Sequence, residues 1–324
     1  MALTIWCNAK LPDGARRALE AGTRAHRLVV PEQGLVAASG EGVPDEGLAT
    51  ADVAFGQPEP TQLISSRARW VQLSSAGYNP YDRDDLRTAF VTRGAMLTKS
   101  SLVYDAPCAE HALAFMLAHE RRLPDAMENQ RAPRAWPQHA LRASARRMGA
   151  LTIALVGYGS IGRRLTAMLA PMGANVVGIR RRAGGDDPVP TFVWGTPAAA
   201  KALATADHVV DLLPGGPGTR HAFDAAVFAS LKPGAIFVNI GRGSTVDQTA
   251  LVAALASGQL AAAYLDVTDP EPLPPDHALW TTPNCFVSPH VAGGHADESE
   301  RLVCHFLDNL SYFERGLPLL DRVY

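Results

Sequence analysis

The stretch that decides the fold is Leu151-Thr-Ile-Ala-Leu-Val156, followed at once by Gly157-Tyr158-Gly159-Ser160-Ile161-Gly162. The apolar run predicts a buried strand, and the residues after the last glycine, 163–170, predict a helix. A G-x-G-x-x-G turn between a strand and a helix is typical of a dinucleotide site, whereas the same glycines alone are weak evidence. The simpler alternative is a turn that only joins the two elements.

Each glycine of this turn has a distinct expected use. Gly157 permits the tight turn, Gly159 lets the backbone approach a pyrophosphate, and Gly162 lets helix and strand pack closely. The helix start would offer free N–H groups and a partial positive charge to the phosphates. We therefore expect the whole turn to bind the cofactor, with Tyr158, Ser160 and Ile161 as further contacts.

Short runs of Val, Ile and Leu alternate with longer Ala/Leu/Arg segments on both sides of this turn, which predicts an α/β chain with parallel sheets. Before residue 100, the predicted strands are Leu3–Trp6, Leu28–Val30, Asp52–Phe55 and Trp70–Leu73. From residue 151, they are Leu151–Val156, Asn175–Ile179, His208–Leu213, Ala235–Ile240, Ala261–Leu265 and Cys285–Ser288. The predicted helices include Asp13–Ala21, Ala109–Leu123, stopped by Pro124, and Glu298–Arg315, while residues 131–147 are expected to form an irregular arm.

Length, composition and charge limit the classes of partner and site that this chain could have. The chain has 324 residues, enough for two hydrophobic cores, with 47% apolar and 19% charged residues. A net charge of -2 gives no reason to expect nucleic acid or an anionic membrane as a partner. We see no signal peptide and no run of apolar residues long enough to span a bilayer. The four cysteines form no C-x-x-C pair, and no His or Cys cluster has zinc spacing, so we expect free thiols, a cytoplasmic location and no metal.

The residues after the second strand of the dinucleotide domain should select the cofactor. Enzymes that prefer NAD place an acid there to bind the ribose 2′-OH. This chain instead has Arg180-Arg181-Arg182, and Asp186 and Asp187 come too late in the sequence. Guanidinium groups suit a 2′-phosphate because they offer forked donors and a fixed charge. The pattern favours NADP(H) over NAD(H), and the alternative is a solvated basic loop.

Three functional side chains follow successive predicted strands. They are Arg242 in Gly241-Arg242-Gly243, Glu271 after Asp266, and His290 in Ser288-Pro289-His290. Because ligands bind at the carboxyl ends of strands in such sheets, we expect these side chains to meet. A 2-keto acid needs a bidentate cation for its carboxylate and a proton donor for its carbonyl oxygen, and the donor His needs an orienting carboxylate. Each residue alone could instead be a surface or capping residue.

The chain resembles the D-isomer-specific 2-hydroxyacid dehydrogenases over nearly its whole length. The resemblance rests on Gly157-x-Gly159-x-x-Gly162, Val238-Asn-Ile-Gly-Arg-Gly243, Leu265-Asp-Val267 with Glu271-Pro-Leu273, and Ser288-Pro-His-Val-Ala-Gly293. It departs from the commonest pattern at the three arginines, where many relatives have an acid, and at Tyr158, which replaces a more usual aliphatic residue.

The resemblance implies a role for each matching residue. Arg242 would bind the substrate carboxylate and polarise the keto group, His290 would exchange a proton with the carbonyl oxygen, and Glu271 would raise the pKa of that His. Asp266 would lie near the nicotinamide carboxamide. The backbone of Ser75-Ala76-Gly77 would hold the substrate carboxylate. We expect further cofactor contacts from Leu213, Pro214, Thr219, Ile240, Gly241, His290 and Gly293.

The family fold also implies two doubly wound α/β domains. A Rossmann nucleotide-binding domain, residues 101–289, would be inserted in a flavodoxin-like substrate domain, residues 1–100 and 290–324, with the active site in the cleft. A homodimer through the nucleotide-binding domain is expected, involving the helix at 109–123 and the arm after it.

Other functions remain open. A cofactor-sensing, corepressor-like binding protein could use the same fold, and so could a dehydrogenase for another small anion such as phosphite. Formate enzymes of this fold pair the His with Gln, so Glu271 argues against them. A short-chain reductase would need Lys four residues after a Tyr, which the chain lacks. No Arg or Lys pair awaits a substrate phosphate, so glyoxylate, hydroxypyruvate or a bulkier 2-keto acid is favoured over phosphoglycerate.

Overall fold

The computed structural model describes residues 2–38, 40–182, 184 and 186–324. The strands are β1 (Thr4–Cys7), β2 (Arg27–Val29), β3 (Val53–Gly56), β4 (Trp70–Leu73), β5 (Met96–Thr98), β6 (Thr152–Val156), β7 (Asn175–Arg180), β8 (Thr191–Val193), β9 (His208–Asp211), β10 (Ala235–Asn239), β11 (Leu260–Leu265) and β12 (Cys285–Val287). The helices are α1 (Asp13–Gly22), α2 (Glu46–Ala49), α3 (Pro60–Ser65), α4 (Asp84–Arg93), α5 (Ser101–Glu120), α6 (Leu123–Arg131), α7 (Gln138–Ser144), α8 (Ser160–Leu169), α9 (Pro197–Thr205), α10 (Ala225–Ser230), α11 (Gln248–Ala256) and α12 (Glu298–Glu314).

The first of two compact units joins Met1–Tyr104 with Gly294–Tyr324. Its five strands are all parallel, in the order β2-β1-β3-β4-β5, which is the flavodoxin-like order. β3 and β4 are buried along their whole length, as expected of parallel strands covered on both faces. Phe306 of α12 stacks on Phe55 and Trp70, with ring centroids 4.5 and 5.2 Å away. This packing makes the C-terminal helix part of the first core.

The second unit, Asp105–Gly293, contains a seven-stranded parallel sheet in the order β12-β11-β10-β9-β6-β7-β8. The chain runs outward from β6 to β8 on one side, then returns to β9 on the other side of β6. Ligands of open α/β sheets bind outside the strand carboxyl ends at such a reversal. The predicted α/β class with parallel sheets is confirmed, and this order gathers at one edge the residues that follow β6, β9, β10, β11 and β12.

Several local predictions differ from the structure. α5 begins at Ser101 rather than at residue 109 and contains Pro107. Pro124 lies in the first turn of α6, where a missing N–H costs nothing, so it begins a helix instead of stopping one. The expected irregular arm includes α7. The expected domain bounds, 1–100, 101–289 and 290–324, stay a prediction beside the compact units, which divide at residues 104/105, inside α5, and at 293/294.

Candidate active site

The glycine-rich turn joins β6 to α8 in the second unit. Gly157 has a φ of 90°, and a Cβ placed on it would lie 2.7 Å from the carbonyl carbon of Leu212, so a side chain is excluded there. A Cβ on Gly159 would meet only the Gly157 oxygen, 3.7 Å away. Gly159 also precedes α8 without a side-chain cap. The turn therefore offers an open, close-approach surface at a helix N-terminus, and these residues fit a dinucleotide pyrophosphate.

Tyr158 is a packing residue in this turn. Its side chain is buried, and a Cβ on Gly162 or Gly178 would lie within 2.9 Å of its ring. Its backbone N–H donates to the Ile179 oxygen at 3.0 Å. The Tyr158 side chain thus packs between α8 and β7, and a contact of this residue with the cofactor stays a prediction.

The three arginines at the end of β7 have different surroundings. Arg180 forms a short ion pair with Asp187, whose carboxylate also pairs with Arg163 of α8 at 2.6 Å. Arg181 and Arg182 are exposed. Asp187 was expected to come too late to take the place of the acid that selects NAD, and this stays a prediction, but its carboxylate does reach the first arginine.

Arg242 lies in the loop after β10, and neighbouring backbone and side chains fix that loop. The Asn239 amide donates to the Arg242 carbonyl at 3.0 Å and accepts from the Gly241 N–H at 2.9 Å. A Cβ on Gly243 would lie 1.9 Å from the Thr268 carbonyl carbon, so only glycine fits there. The Arg242 guanidinium is half-buried, and within the described ranges it forms no ion pair. It is available to bind an anionic ligand.

His290 and Glu271 form the acid–base pair expected from the sequence. His290 Nδ1 lies 2.7 Å from Glu271 Oε2, and the other carboxylate oxygen accepts the Thr268 N–H at 3.0 Å. The hydrogen bond to Glu271 raises the pKa of His290 against the effect of burial. Burial favours the neutral form of Glu271, but the bonds to His290 and Thr268 hold its pKa below the usual value. The pair therefore favours a charged imidazolium that can donate a proton from Nε2.

Asp266 holds the loop that carries His290. Its Oδ1 accepts bonds from the Ser288 hydroxyl at 2.6 Å and the Val291 N–H at 2.9 Å, and its Oδ2 accepts the Ala292 N–H at 2.9 Å. These bonds help to keep His290 at a φ of 53°, which non-glycine residues seldom adopt. Asp266 is thus a positioning residue for His290, and its contact with a nicotinamide stays a prediction.

The remaining expected contacts lie in the loops assigned to them. Leu213 and Pro214 follow β9, and the Thr219 hydroxyl closes their turn by donating to the Pro214 oxygen at 2.6 Å. Ile240 and Gly241 follow β10, and Gly293 ends the second unit just after the His290 loop. Ser75-Ala76-Gly77 belongs to the first unit, where the Ser75 hydroxyl donates to the Gly77 oxygen at 2.6 Å.

Sequence reasoning missed Asp211 and Thr245, two buried residues that contact each other behind the Arg242 loop. A carboxylate inside the apolar strand His208–Leu213 was a signal that could have found the first of them.

In the part of the chain that the structure describes, no helix is long and apolar enough to cross a membrane. Within the same residues we find no His, Cys, Asp and Glu grouping suited to a metal ion.

Residues 113–292 match the family model "D-isomer specific 2-hydroxyacid dehydrogenase, NAD binding domain". The mouse glyoxylate reductase/hydroxypyruvate reductase is 33% identical over 69% of this chain and 67% of its own length. Across other relatives compared, the match spans 56% to 82% of the relative.

Two solved structures are similar over almost the whole chain. A D-isomer specific 2-hydroxyacid dehydrogenase from Xanthobacter autotrophicus Py2, in complex with NADPH and MES, has a TM-score of 0.82 at 28% identity and covers 100% of this chain and 98% of its own. The NADPH-dependent glyoxylate/hydroxypyruvate reductase of Sinorhizobium meliloti, in complex with NADP and sulfate, has a TM-score of 0.77 at 25% identity and covers 99% and 98%. The chain belongs to the D-isomer specific 2-hydroxyacid dehydrogenase family.

Proposed function

We propose that this protein reduces a small 2-keto acid to the D-2-hydroxy acid and uses NADP(H) in preference to NAD(H). The main support for the proposal is the His290–Glu271 pair, whose Nδ1 and Oε2 atoms lie 2.7 Å apart. The loops that hold this pair follow strands of the same sheet as the loops that hold Arg242 and the glycine-rich turn. A bound nicotinamide cofactor supplies the hydride, and the turn at 157–162 with the start of α8 would hold its pyrophosphate.

The residues of the chain then divide the remaining work. Arg242 binds the substrate carboxylate with two parallel N–H bonds, which fixes the keto carbon in one orientation. As the keto carbon accepts the hydride, the carbonyl oxygen gains negative charge and takes the proton from His290 Nε2. Glu271 stays ionised on Nδ1 and stabilises the imidazolium before that transfer.

Glyoxylate and hydroxypyruvate are the proposed substrates, with bulkier 2-keto acids next. The names of the relatives support this choice. The test is NADPH and NADH oxidation by the purified protein with glyoxylate, hydroxypyruvate and phenylpyruvate. Turnover with at least one of them supports the proposal. Cofactor binding without any turnover would instead favour a cofactor-sensing protein, and reduction of NADP by phosphite would favour oxidation of that anion.

Replacing Glu271 with Gln should change the pH dependence of keto acid reduction. Reduction needs protonated His290, so kcat/KM is highest at low pH and falls as the pH rises through the His290 pKa. Glu271 raises that pKa above its usual value. The variant loses the charged partner, and its falling limb should move to lower pH. The measurement is kcat/KM across the neutral range for both proteins. An unmoved limb would mean that another group titrates.

Replacing Asp187 with Asn should increase the preference for NADPH. Its carboxylate occupies Arg180 and Arg163, so a 2′-phosphate must compete with it for these cations. Removing a partly screened charge pair of ~1 kcal/mol corresponds to about a fivefold gain in the NADPH-to-NADH ratio of kcat/KM. Asp186→Asn is the matched control, because that neighbour is exposed. A ratio that falls in Asp187→Asn, or a wild type that prefers NADH, would contradict the assignment of NADP(H).

The proposal includes a homodimer through the nucleotide-binding domain. Apolar side chains on α6 and after it are exposed, with Trp136 at 89%, Met127 at 54% and Leu123 at 50%. A partner that covers them would remove this apolar surface from water. Light scattering should therefore give the mass of a dimer, and a monomer would refute this part.

A further inference from the structure

We infer that Asp211 is a positioning residue that acts as a neutral carboxylic acid and fixes the Arg242 peptide through the hydroxyl of Thr245. The inference rests on the proposed function, because the position of Arg242 matters to the reaction only if Arg242 binds the substrate. It gives a role to a buried acid that the mechanism above does not use.

Asp211 ends β9 and pairs in register with Asn239 at the end of β10. Asp211 is fully buried. One carboxyl oxygen, Oδ1, accepts the Leu213 N–H at 2.9 Å. The other, Oδ2, makes a short hydrogen bond with Oγ1 of Thr245, which is also fully buried. Both oxygens thus have partners inside the second unit.

The number of protons around Thr245 decides the charge of Asp211. Thr245 Oγ1 lies 2.6 Å from the carbonyl oxygen of Arg242 as well as against Asp211 Oδ2. A hydroxyl carries one proton and can donate to only one of these two acceptors. If Asp211 were ionised, Thr245 Oγ1 would lie against one of these two oxygens with no proton between them. If Asp211 is protonated, its Oδ2–H donates to Thr245, whose own O–H donates to the Arg242 carbonyl, and every contact is satisfied.

The environment of Asp211 favours the same protonation state. Burial raises its pKa to about 7, although the Thr245 hydroxyl and the Leu213 N–H favour the ionised form. Among the described residues, no cation is ion-paired with this carboxyl group. A buried carboxylate without a cation is costly, whereas a neutral acid with both oxygens bonded is not.

The consequence is a rigid support beneath Arg242. Its carbonyl oxygen receives the Thr245 hydroxyl at 2.6 Å, the Asn239 amide at 3.0 Å and the Thr245 N–H at 3.3 Å. Gly243, next in the chain, is pressed against the backbone of Thr268. Hydrogen bonds from Asn239 and Thr245 therefore fix the direction of the Arg242 side chain. Losing the Thr245 hydroxyl should misplace the guanidinium without removing it.

The test compares isosteric variants that separate the proton from the charge. Thr245→Val removes the hydroxyl, and Thr245→Ser keeps it. Asp211→Asn is a neutral mimic of the acid, because the Leu213 N–H fixes its amide oxygen and turns its NH2 group toward Thr245. We expect Thr245→Ser and Asp211→Asn to keep kcat/KM for glyoxylate or hydroxypyruvate within about twofold. Thr245→Val should raise the keto acid KM roughly tenfold, the effect of one lost hydrogen bond, with a smaller change in kcat. The KM for NADPH should stay near the wild-type value.

Thermal unfolding checks that each variant is folded, and Thr245→Ala replaces Thr245→Val if that protein does not fold. An Asp211→Asn protein as impaired as Thr245→Val would show that a negative charge is needed, and a normal keto acid KM in Thr245→Val would show that the hydroxyl does not position Arg242. Arg242→Ala belongs in the same assay. If it is as active as the wild type, the proposed function has failed, whatever the Asp211 and Thr245 variants do.

Discussion

Replacing His290 with Gln is expected to lower kcat for keto acid reduction by about three orders of magnitude, within the range of general acid catalysis. Gln has nearly the reach of His but no proton to give near neutral pH. The pair with Glu271, at 2.7 Å, is then lost together with the charge that it stabilises. The measurement is steady-state turnover with saturating NADPH and keto acid.

The control for this experiment is His139→Gln, on the exposed surface of α7, which should keep wild-type turnover. Cofactor binding should survive in His290→Gln, because the glycine-rich turn is unchanged, and titration of NADPH fluorescence can verify it. Near wild-type turnover in His290→Gln would remove His290 from the mechanism.

Replacing Arg242 with Ala should lower kcat/KM by about two to three orders of magnitude and affect both KM and kcat. The carboxylate loses a forked, charged partner, and the developing oxyanion loses a nearby cation. Arg242→Lys keeps the charge but not the fork, so its loss should be intermediate.

Arg17→Ala, on the exposed face of α1, is the matched control for the loss of one positive charge. If Arg242→Ala raises neither KM nor the barrier to turnover, the substrate carboxylate is bound elsewhere. An equal loss in Arg242→Lys and Arg242→Ala would indicate that the forked geometry, more than the charge, decides binding.

The parts of the fold that sequence predicts well are those with a strong local pattern. β6, the glycine turn and α8 are continuous in sequence, so periodicity and turn chemistry suffice. Edge strands of three residues give too little alternation for a firm prediction, so β2 and β12 were predicted but β5 and β8 were not. α5 begins at Ser101, earlier than predicted, and it continues through Pro107, a residue type that is unfavourable inside a helix.

The candidate site divides in a similar way. Arg242, Glu271 and His290 were predicted because each lies in the loop after a recognisable strand, and parallel strands end at one edge. The pairing of Asp187 with Arg180 joins residues seven positions apart, and no local pattern encodes it. The bonds from Asp266 to the His290 loop and the chain from Asp211 to Arg242 are tertiary contacts between different strand ends. They follow from three-dimensional placement, so sequence could point only to the unusual buried acid.

The most direct test of the proposed reaction follows the transferred hydrogen. The purified protein would be incubated with hydroxypyruvate and with NADPH deuterated at the transferred C4 position. Hydroxypyruvate is used instead of glyoxylate because its reduction product is chiral. We expect deuterium on C2 of the product and the D enantiomer on chiral chromatography. Product of the L configuration, deuterium absent from C2, or no product at all would contradict it.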